Sequence, residues 1–554
     1  MMKKKHLAVS AILSSALVVG SFSVSDAAAI SDNPKSASVQ TGKVWNKNAN
    51  APIFVKEKFA EKHPSSNAAN AKDYLENNER QTGIQNVDEN LKVTDVQKDD
   101  LGMTHVRFNQ TKSGVPVEGT EVIVHFNENN EVVTVNGNHN RKIESASINT
   151  NPTLNVEKAI LAAKSAVTAP VNMKYDPVSE LVIYPFEGEN HLAYKVNVTF
   201  LGENPGNWFV YIDAKNGEVI DQYNTIAHVG EEGQFHKSVG KGVLGDHMHL
   251  HTTKIKAPRQ GAEFVLADNS HEGLEGIYTY DSNTGEIAVN NSASWMKEYH
   301  RPAVSAHYNS EQVYDYFLTE HDRNSLDDEG MAIISYVNFG TDYNNAFWNG
   351  RHMTYGNGDG DFMIPLSAGL DVAAHEMTHG VITNTANLVY RFQPGALNEA
   401  FADIFGALVD EDDWEVGEDI MGPGAKADGR TSLRSLSDPD KYPVDEEYIP
   451  YGNGEGMYPS HMDEFYDLPG YLDNGGVHIN SSIINHAAYI TGEQIGKDKL
   501  GQIYYRALVT YLTETSDFSD ARLAIVQSAE DIYGEGSEEA LAAADGFEQV
   551  GIYE

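Results

Sequence analysis

The sequence predicts an α+β fold: a leading α+β region, then a β-rich half and an α-helical half with a short motif-bearing helix between them. Three observations predict it. Runs of period-2 alternation, separated by turn residues, recur as far as about Pro365. From Leu366 onward helices dominate, and Lys499 to Val550 is almost wholly helical. At the boundary stands Asp371-Val-Ala-Ala-His-Glu-Met-Thr-His-Gly380, where Ala373, Ala374, Glu376 and Met377 favour helix and no proline interrupts.

Composition narrows the function classes. The chain has 554 residues and a net charge of −41. Its length suits several domains with ample core. The acidic balance argues against nucleic acid or an anionic membrane as partner and suits a soluble exported protein. There is no cysteine, so disulfides, thiolate ligands and a cysteine nucleophile are excluded. An exported chain without disulfides needs other staples, and Ca²⁺ is the obvious one.

In chain order, residues 1–29 read as a signal peptide. Lys3, Lys4 and Lys5 are followed by an apolar run, Leu7 to Val19, and by small residues at Ala27-Ala28-Ala29. The apolar run is short for a membrane span, so the expectation is a secreted, extracellular protein. Ser31 to Ala71 is polar and reads as a loose lead-in. Thr104–Phe108 and Glu121–Phe126 alternate as strands, Asn127–Asn130 is a turn, and Glu131–Val135 can return as a hairpin. Val156 to Val167 is Ala-rich and helical. Leu181–Tyr184, Leu192–Val198 and Trp208–Ile212 read as strands, and Ala214–Glu218 turns into Val219-Ile220. Asn224 to Gly233 has turn residues without periodicity and reads as a junction.

From Gly240 to about Pro365 short strands such as Glu263–Leu266 and Ile277–Tyr280 are expected. One helix, Pro302 to Leu318, is expected to bury Val304, His307, Tyr308, Val313 and Phe317, with His307 a core residue rather than a ligand. Gly356-Asn-Gly-Asp-Gly-Asp361 reads as a tight turn in preference to a calcium loop.

The chemistry is concentrated in His375-Glu376-x-x-His379. Residues four apart share a helical face, so both imidazoles can meet one ion. Zn²⁺ accepts two imidazoles and an oxygen ligand and keeps one position for water. Glu376, about 100° around the helix from His375, can take a proton from that water. Alone, the pattern can arise by chance. Downstream, however, Glu399 and Asp403 share the face of another helix beside the apolar stripe Leu397, Phe401, Ile404 and Phe405. Packed against the first helix, it can aim Glu399 at the metal and Asp403 at the far nitrogen of a metal-bound histidine. The competing reading, a solvated acidic face, loses its weight beside the histidine pair.

His375-Glu376-x-x-His379 followed by Asn398-Glu399-Ala400-x-x-Asp403 resembles the thermolysin family of secreted neutral metalloproteases. Asn344–Trp348, Ser432–Pro439 and Asp473–Ser481 resemble further motifs of that family, in its order, from roughly Gly240 to the C-terminus. The resemblance implies a two-lobed catalytic domain, with a β-rich lobe at 231–366 and an α-helical lobe at 367–554. Residues 30–230 resemble the family's propeptide, with a first module at about 72–140 and a PepSY-type module at about 153–224, implying a chaperone and inhibitor removed by self-cleavage. It further implies that His478 and Tyr390 hydrogen-bond the developing oxyanion. Asp473 would orient His478, Arg434 would bind a substrate carbonyl, and Asn345 with Ala346 would hold the peptide as an added strand. Met363, Leu366, Val372, Val416 and Leu433 would line an apolar pocket for the residue after the cleaved bond, so cleavage on the N-terminal side of hydrophobic residues is expected.

The acidic run from Asp410 to Glu418 repels itself unless a cation binds. Asp371, Asp410, Asp413, Glu415 and Glu418 are the expected carboxylates of one or two Ca²⁺ ions. The resemblance frays nearby. The loop is shorter than the family pattern, Lys297 and Tyr299 stand where acidic ligands are expected, and Ile420–Gly424 lacks a Tyr-Thr pair. Fewer calcium ions are therefore expected than the family's full set of four. The resulting expectation is a monomeric, zinc-dependent endopeptidase acting on proteins and peptides. The rivals are a non-catalytic secreted zinc-binding module and a non-peptidase zinc hydrolase.

Overall fold

The structure, a computed structural model, describes residues 43–45, 52–170, 173, 176–186, 189–200, 206–224, 234–256 and 262–553. The expected signal peptide and most of the expected junction lie outside the described residues. The chain forms two compact units. One holds the described residues up to 224 together with 510–523; the other holds 234–509 and 524–553.

The first unit contains two antiparallel sheets. One runs in the order Lys43–Trp45, Pro52–Lys62, Glu131–Asn138, Glu121–Phe126, Thr104–Lys112, Leu91–Lys98. Alternate residues of its strands, Val106, Phe108, Val122, Val124 and Phe126, bury against Tyr74 and Leu75 of the helix Ala68–Asn77. The strand Pro52–Lys62 corrects the expected loose lead-in. It pairs with Glu131–Asn138, Val55 facing Val135, and buries Phe54 and Val55. Phe54 and Val55 are neighbours and so point to opposite faces, both covered here; the strand is stabilised by a partner far along the chain that its polar composition does not announce. The second sheet, Val178–Phe186, Glu189–Phe200, Gly206–Asp213 and Val219–Asn224, is a meander. The helix Val156–Ala166 covers it, burying Ala159 and Ala163 against Val196, Val198, Val210 and Ile212. The remaining segment of this unit packs on the first sheet: Asn136 Nδ2 donates to the Tyr511 carbonyl, and the Tyr511 ring stacks on His125.

In the second unit, β1 (Gln234–Lys241), β2 (His247–Lys256) and β3 (Ala262–Val265) form one sheet. A mixed sheet follows, in which β4 (Ile277–Asp281) and β5 (Ile333–Phe339) run parallel. At its rim β6 (Ala346–Trp348) pairs antiparallel with β7 (Met353–Gly356), leaving β6 at the edge. The expected helix is α1 (Arg301–His321), with Pro302 in its first turn; it buries Val304, His307, Val313 and Phe317 while Tyr308 is half-buried. His307 is a core residue, as expected: its ring reaches the His251 carbonyl at 2.7 Å and Thr279 at 3.1 Å. The 356–361 segment is a turn, with Asp359 Oδ1 accepting from the backbone N–H groups of Asp361, Phe362 and Met363.

Three helices then build the floor of the site: α2 (Leu370–Thr383), α3 (Phe392–Val409) and α4 (Asp473–Ile495). α3 packs on both others. Gly406 permits the closest approach, because a Cβ there would stand 3.1 Å from the Asp371 carbonyl oxygen of α2. Further helices, Lys497–Arg506, Phe518–Tyr533 and Glu538–Gln549, account for the expected helical C-terminal region.

Candidate active site

α2 carries His375 and His379 one turn apart on the side facing α3, and both are buried or nearly so. Their Nε2 atoms stand 3.1 Å apart. Glu399 of α3 enters between them, one oxygen 3.5 Å from His375 Nε2 and the other 3.4 Å from His379 Nε2. The far nitrogens are held from behind: His375 Nδ1 lies 2.8 Å from Asp403 Oδ1, and His379 Nδ1 lies 2.7 Å from Asn398 Oδ1. Asn398 spends its amide N–H on the Leu388 carbonyl, which leaves its oxygen to accept. Both imidazoles therefore keep their proton on Nδ1 and turn bare Nε2 lone pairs toward each other and toward a carboxylate. Neutral lone pairs and a carboxylate do not converge at these distances for their own sake. The buried Oε2 of Glu399 has no hydrogen-bond partner. The donor set, two imidazoles and a carboxylate, fits a divalent zinc ion.

Asp403 is more committed than its spacing suggested. Arg434 donates to it from Nε at 2.7 Å and from Nη2 at 2.6 Å, and Asn485 adds a bond of 2.8 Å. Burial opposes its charge, but Arg434 and His375 outweigh that and hold the carboxyl well below the usual range. Arg434 thus uses one edge of its fork on a protein carboxylate. Asn398 and Asn485 were not singled out from the sequence. Asn398 adjoins Glu399 in the motif and was within reach of sequence reasoning; Asn485 had no local signal.

Glu376 is 1 % exposed. Burial is the main reason that its carboxyl rises to about 7, with His375 pulling it down and Glu399 pushing it up. A carboxylate poised there suits proton transfer near neutral pH. Opposite stands His478. The Asp473-Asn474-Gly475-Gly476 turn takes positive φ at all four residues before the regular part of α4 begins. A side chain at Gly475 would meet the Phe392 ring at 2.3 Å. This left-handed turn folds Asp473 back, so that Oδ2 accepts the His478 backbone N–H at 2.9 Å and Oδ1 lies 2.5 Å from His478 Nδ1. Burial disfavours the imidazolium, but Glu399 and Asp473 raise His478 to about 9. The Tyr390 hydroxyl lies 3.1 Å from His478 Nε2 and donates to Glu399. Burial and Glu399 push that hydroxyl well above its usual range, so it is protonated.

Asn345 and Ala346 are buried at the start of the edge strand β6, and the Asn345 carbonyl accepts from Gly356. Met363, Leu366, Val372, Val416 and Leu433 are all buried, and Leu433 N–H donates to the Val416 carbonyl.

Of the acidic group, Asp371, Asp410 and Glu418 converge. Burial, with repulsion from neighbouring carboxylates, raises all three carboxyls, Glu418 to about 7. Glu415 is turned elsewhere. Its oxygens are taken by Ser432, Ser435 and Lys441. Asp413 also stays outside the trio, its Oδ1 accepting the Glu415 backbone N–H at 2.7 Å. In a short loop with many carboxylates, spacing alone does not distinguish those turned inward from those that tie the loop to its neighbours.

Comparison with known proteins agrees with this geometry. Residues 237–383 match the thermolysin metallopeptidase catalytic domain, and 386–552 match the alpha-helical domain of the same family. Residues 89–138 match the fungalysin/thermolysin propeptide motif, and 153–223 the peptidase propeptide and YPEB domain. The chain is 39 % identical over 543 residues to thermolysin of Alicyclobacillus acidocaldarius subsp. acidocaldarius, covering 92 % of this chain and 94 % of that one. It is 37 % identical over 573 residues to bacillolysin of Brevibacillus brevis, covering the whole of both.

Proposed function

Because the chain belongs to the thermolysin family of metallopeptidases and is a zinc-dependent metalloendopeptidase, we propose that His375, His379 and Glu399 hold one catalytic zinc ion and that Glu376 is the general base. Bound zinc supplies a Lewis acid that acidifies a water molecule and polarises the scissile carbonyl. The chain's own residues do the rest. Glu376 takes the proton of the attacking water and passes it to the leaving amine. His478, held by Asp473, and Tyr390 donate hydrogen bonds to the oxyanion of the tetrahedral intermediate. The edge of β6 at Asn345 and Ala346 receives the substrate as an added strand. Arg434 uses its remaining Nη1 on a substrate carbonyl. Met363, Leu366, Val372, Val416 and Leu433 form an apolar pocket, so bonds on the N-terminal side of hydrophobic residues are cut with broad selectivity.

The observation that carries this reading is the convergence of two bare Nε2 atoms and the Glu399 carboxylate, with the protons held behind them by Asp403 and Asn398. Asp371, Asp410 and Glu418 hold structural calcium. Residues 1–29 direct export to the extracellular medium, and 30–230 act as an inhibitor and folding aid until cleavage near the junction. Among the described residues, no helix is long and apolar enough to cross a membrane.

The test compares wild type with Glu376→Gln, with and without phenanthroline. Wild type should process itself and digest casein until zinc is stripped. The variant should keep its zinc, remain an unprocessed precursor and digest nothing. Self-processing by the variant would remove Glu376 from its role, and a wild type inert under all conditions would favour a zinc-binding module.

A further inference from the structure

Away from the site just described, β2 and the loop after the short strand Ala267–Asp268 bring a second group of metal-binding side chains together, His251, Asp268 and His271, and α1 sets Glu311 beside His251. His271 Nε2 approaches Asp268 Oδ2 to 3.0 Å, and His251 Nδ1 stands 3.6 Å from the same oxygen. His251 Nδ1 also stands 3.5 Å from Glu311 Oε2. All three atoms of the His251, Asp268 and His271 trio are buried and make no hydrogen bond of acceptable geometry. Asp268 itself is fully buried.

Each carboxylate is already tied by its other oxygen. Asp268 Oδ1 accepts the Ser270 backbone N–H at 2.8 Å, and Glu311 Oε1 accepts the His251 backbone N–H at 3.1 Å. One oxygen of each is thereby directed at the histidines. His307, the nearby core histidine, turns its ring nitrogens to the His251 carbonyl and Thr279, and its Nε2 also lies 3.3 Å from Glu311 Oε1, the oxygen already bonded to the His251 backbone. As at the catalytic centre, ring nitrogens and carboxylate oxygens converge at short distance, and a buried carboxylate oxygen is left without a hydrogen bond of acceptable geometry.

We propose that His251, Asp268, His271 and Glu311 form a second, structural site for a zinc-class divalent ion that clamps β2 and the loop at Asp268 to α1. Two imidazoles exclude Ca²⁺ and Mg²⁺, which take oxygen ligands, and select a first-row transition ion of the zinc type. Three donors converge and Glu311 stands beside His251 as a fourth, so the ligands come from the protein and the site holds structure instead of activating water. In a chain without cysteine it supplies a cross-link that a disulfide cannot.

The test uses the full chain carrying Glu376→Gln, which avoids self-digestion. It is equilibrated with zinc, freed of excess by gel filtration, and its zinc per chain is counted by mass spectrometry. Two ions per chain are expected, falling to one with His271→Ala or with His251→Ala. The chain lacking both His375 and His379 should also retain one, which separates this site from the catalytic reading. Should a variant fail to fold by circular dichroism, the same chain lacking His375 and His379 is titrated with Co²⁺ and read for tetrahedral d–d absorption. Those bands support the site. Their absence, or a zinc count that neither histidine substitution lowers, overturns it.

Discussion

Asp473 grips His478 twice, Oδ1 at 2.5 Å from the ring Nδ1 and Oδ2 accepting the backbone N–H at 2.9 Å. The ring is thereby fixed with Nε2 toward Tyr390 and Glu399. Asp473→Asn keeps the shape but removes the charge that favours the imidazolium. It should lower kcat roughly 10–100-fold with little change in KM, as expected for a hydrogen bond that strengthens in the transition state. Steady-state kinetics on a short peptide checks this; an unchanged kcat would make Asp473 purely structural.

Asp403 joins the metal centre to Arg434 and Asn485. Asp403→Asn should weaken zinc affinity by roughly 10–100-fold, the usual cost of losing a carboxylate behind a ligating histidine. It should also lower the melting temperature, because the buried Arg434 loses its only ion-pair partner among the described residues. Chelator competition measures the first effect and thermal scanning the second. Zinc affinity equal to wild type would refute the assignment.

The converging trio and the diverted Glu415 make separable predictions. Chelating calcium with EGTA should lower the melting temperature, and Asp410→Asn should reduce that response. Glu415→Gln should leave the calcium count unchanged, since its oxygens already serve Ser432, Ser435 and Lys441. Native mass spectrometry supplies the counts. Four bound calcium ions would contradict the expectation of a depleted set.

The acid limb of stability should report His321. Its ring stacks on Tyr505, centroids 4.2 Å apart, and burial with Arg323 nearby lowers it to about 3. The folded state excludes a proton that the unfolded chain binds below about pH 6.5. Stability from this group is thus complete above pH 6.5 and is lost as pH falls toward 3, reaching about 2 kcal/mol of loss at pH 5. His321→Phe should flatten that limb in denaturant titrations of the Glu376→Gln chain. An unchanged slope would mean that the ring titrates normally.

Much of the site was legible because its chemistry is local. His375, Glu376 and His379 lie within one and a half turns of a single helix, and Glu399 with Asp403 within little more than one turn of another. Helical geometry alone relates residues so close together. The strand Pro52–Lys62 was not legible, because its buried face exists only once Val55 meets Val135. The partners of Glu415 were not legible for a similar reason: Ser432 and Ser435, which bond its carboxylate, lie across a strand pair.

By itself, the sequence determined the fold class, the helical pairing of imidazoles and carboxylates, and the absence of any thiol chemistry. These follow from periodicity and residue type, which act over a turn of helix or a few strand residues. Only the tertiary structure decided which carboxylates face a common point and which are neutralised by neighbours. It alone joined Asp403 to Arg434 and Asn485, and gathered His251, Asp268, His271 and Glu311 from β2, a loop and α1. The physical reason is that charge and hydrogen-bonding partners act through space over a few ångströms, and folding sets those distances whatever the separation along the chain.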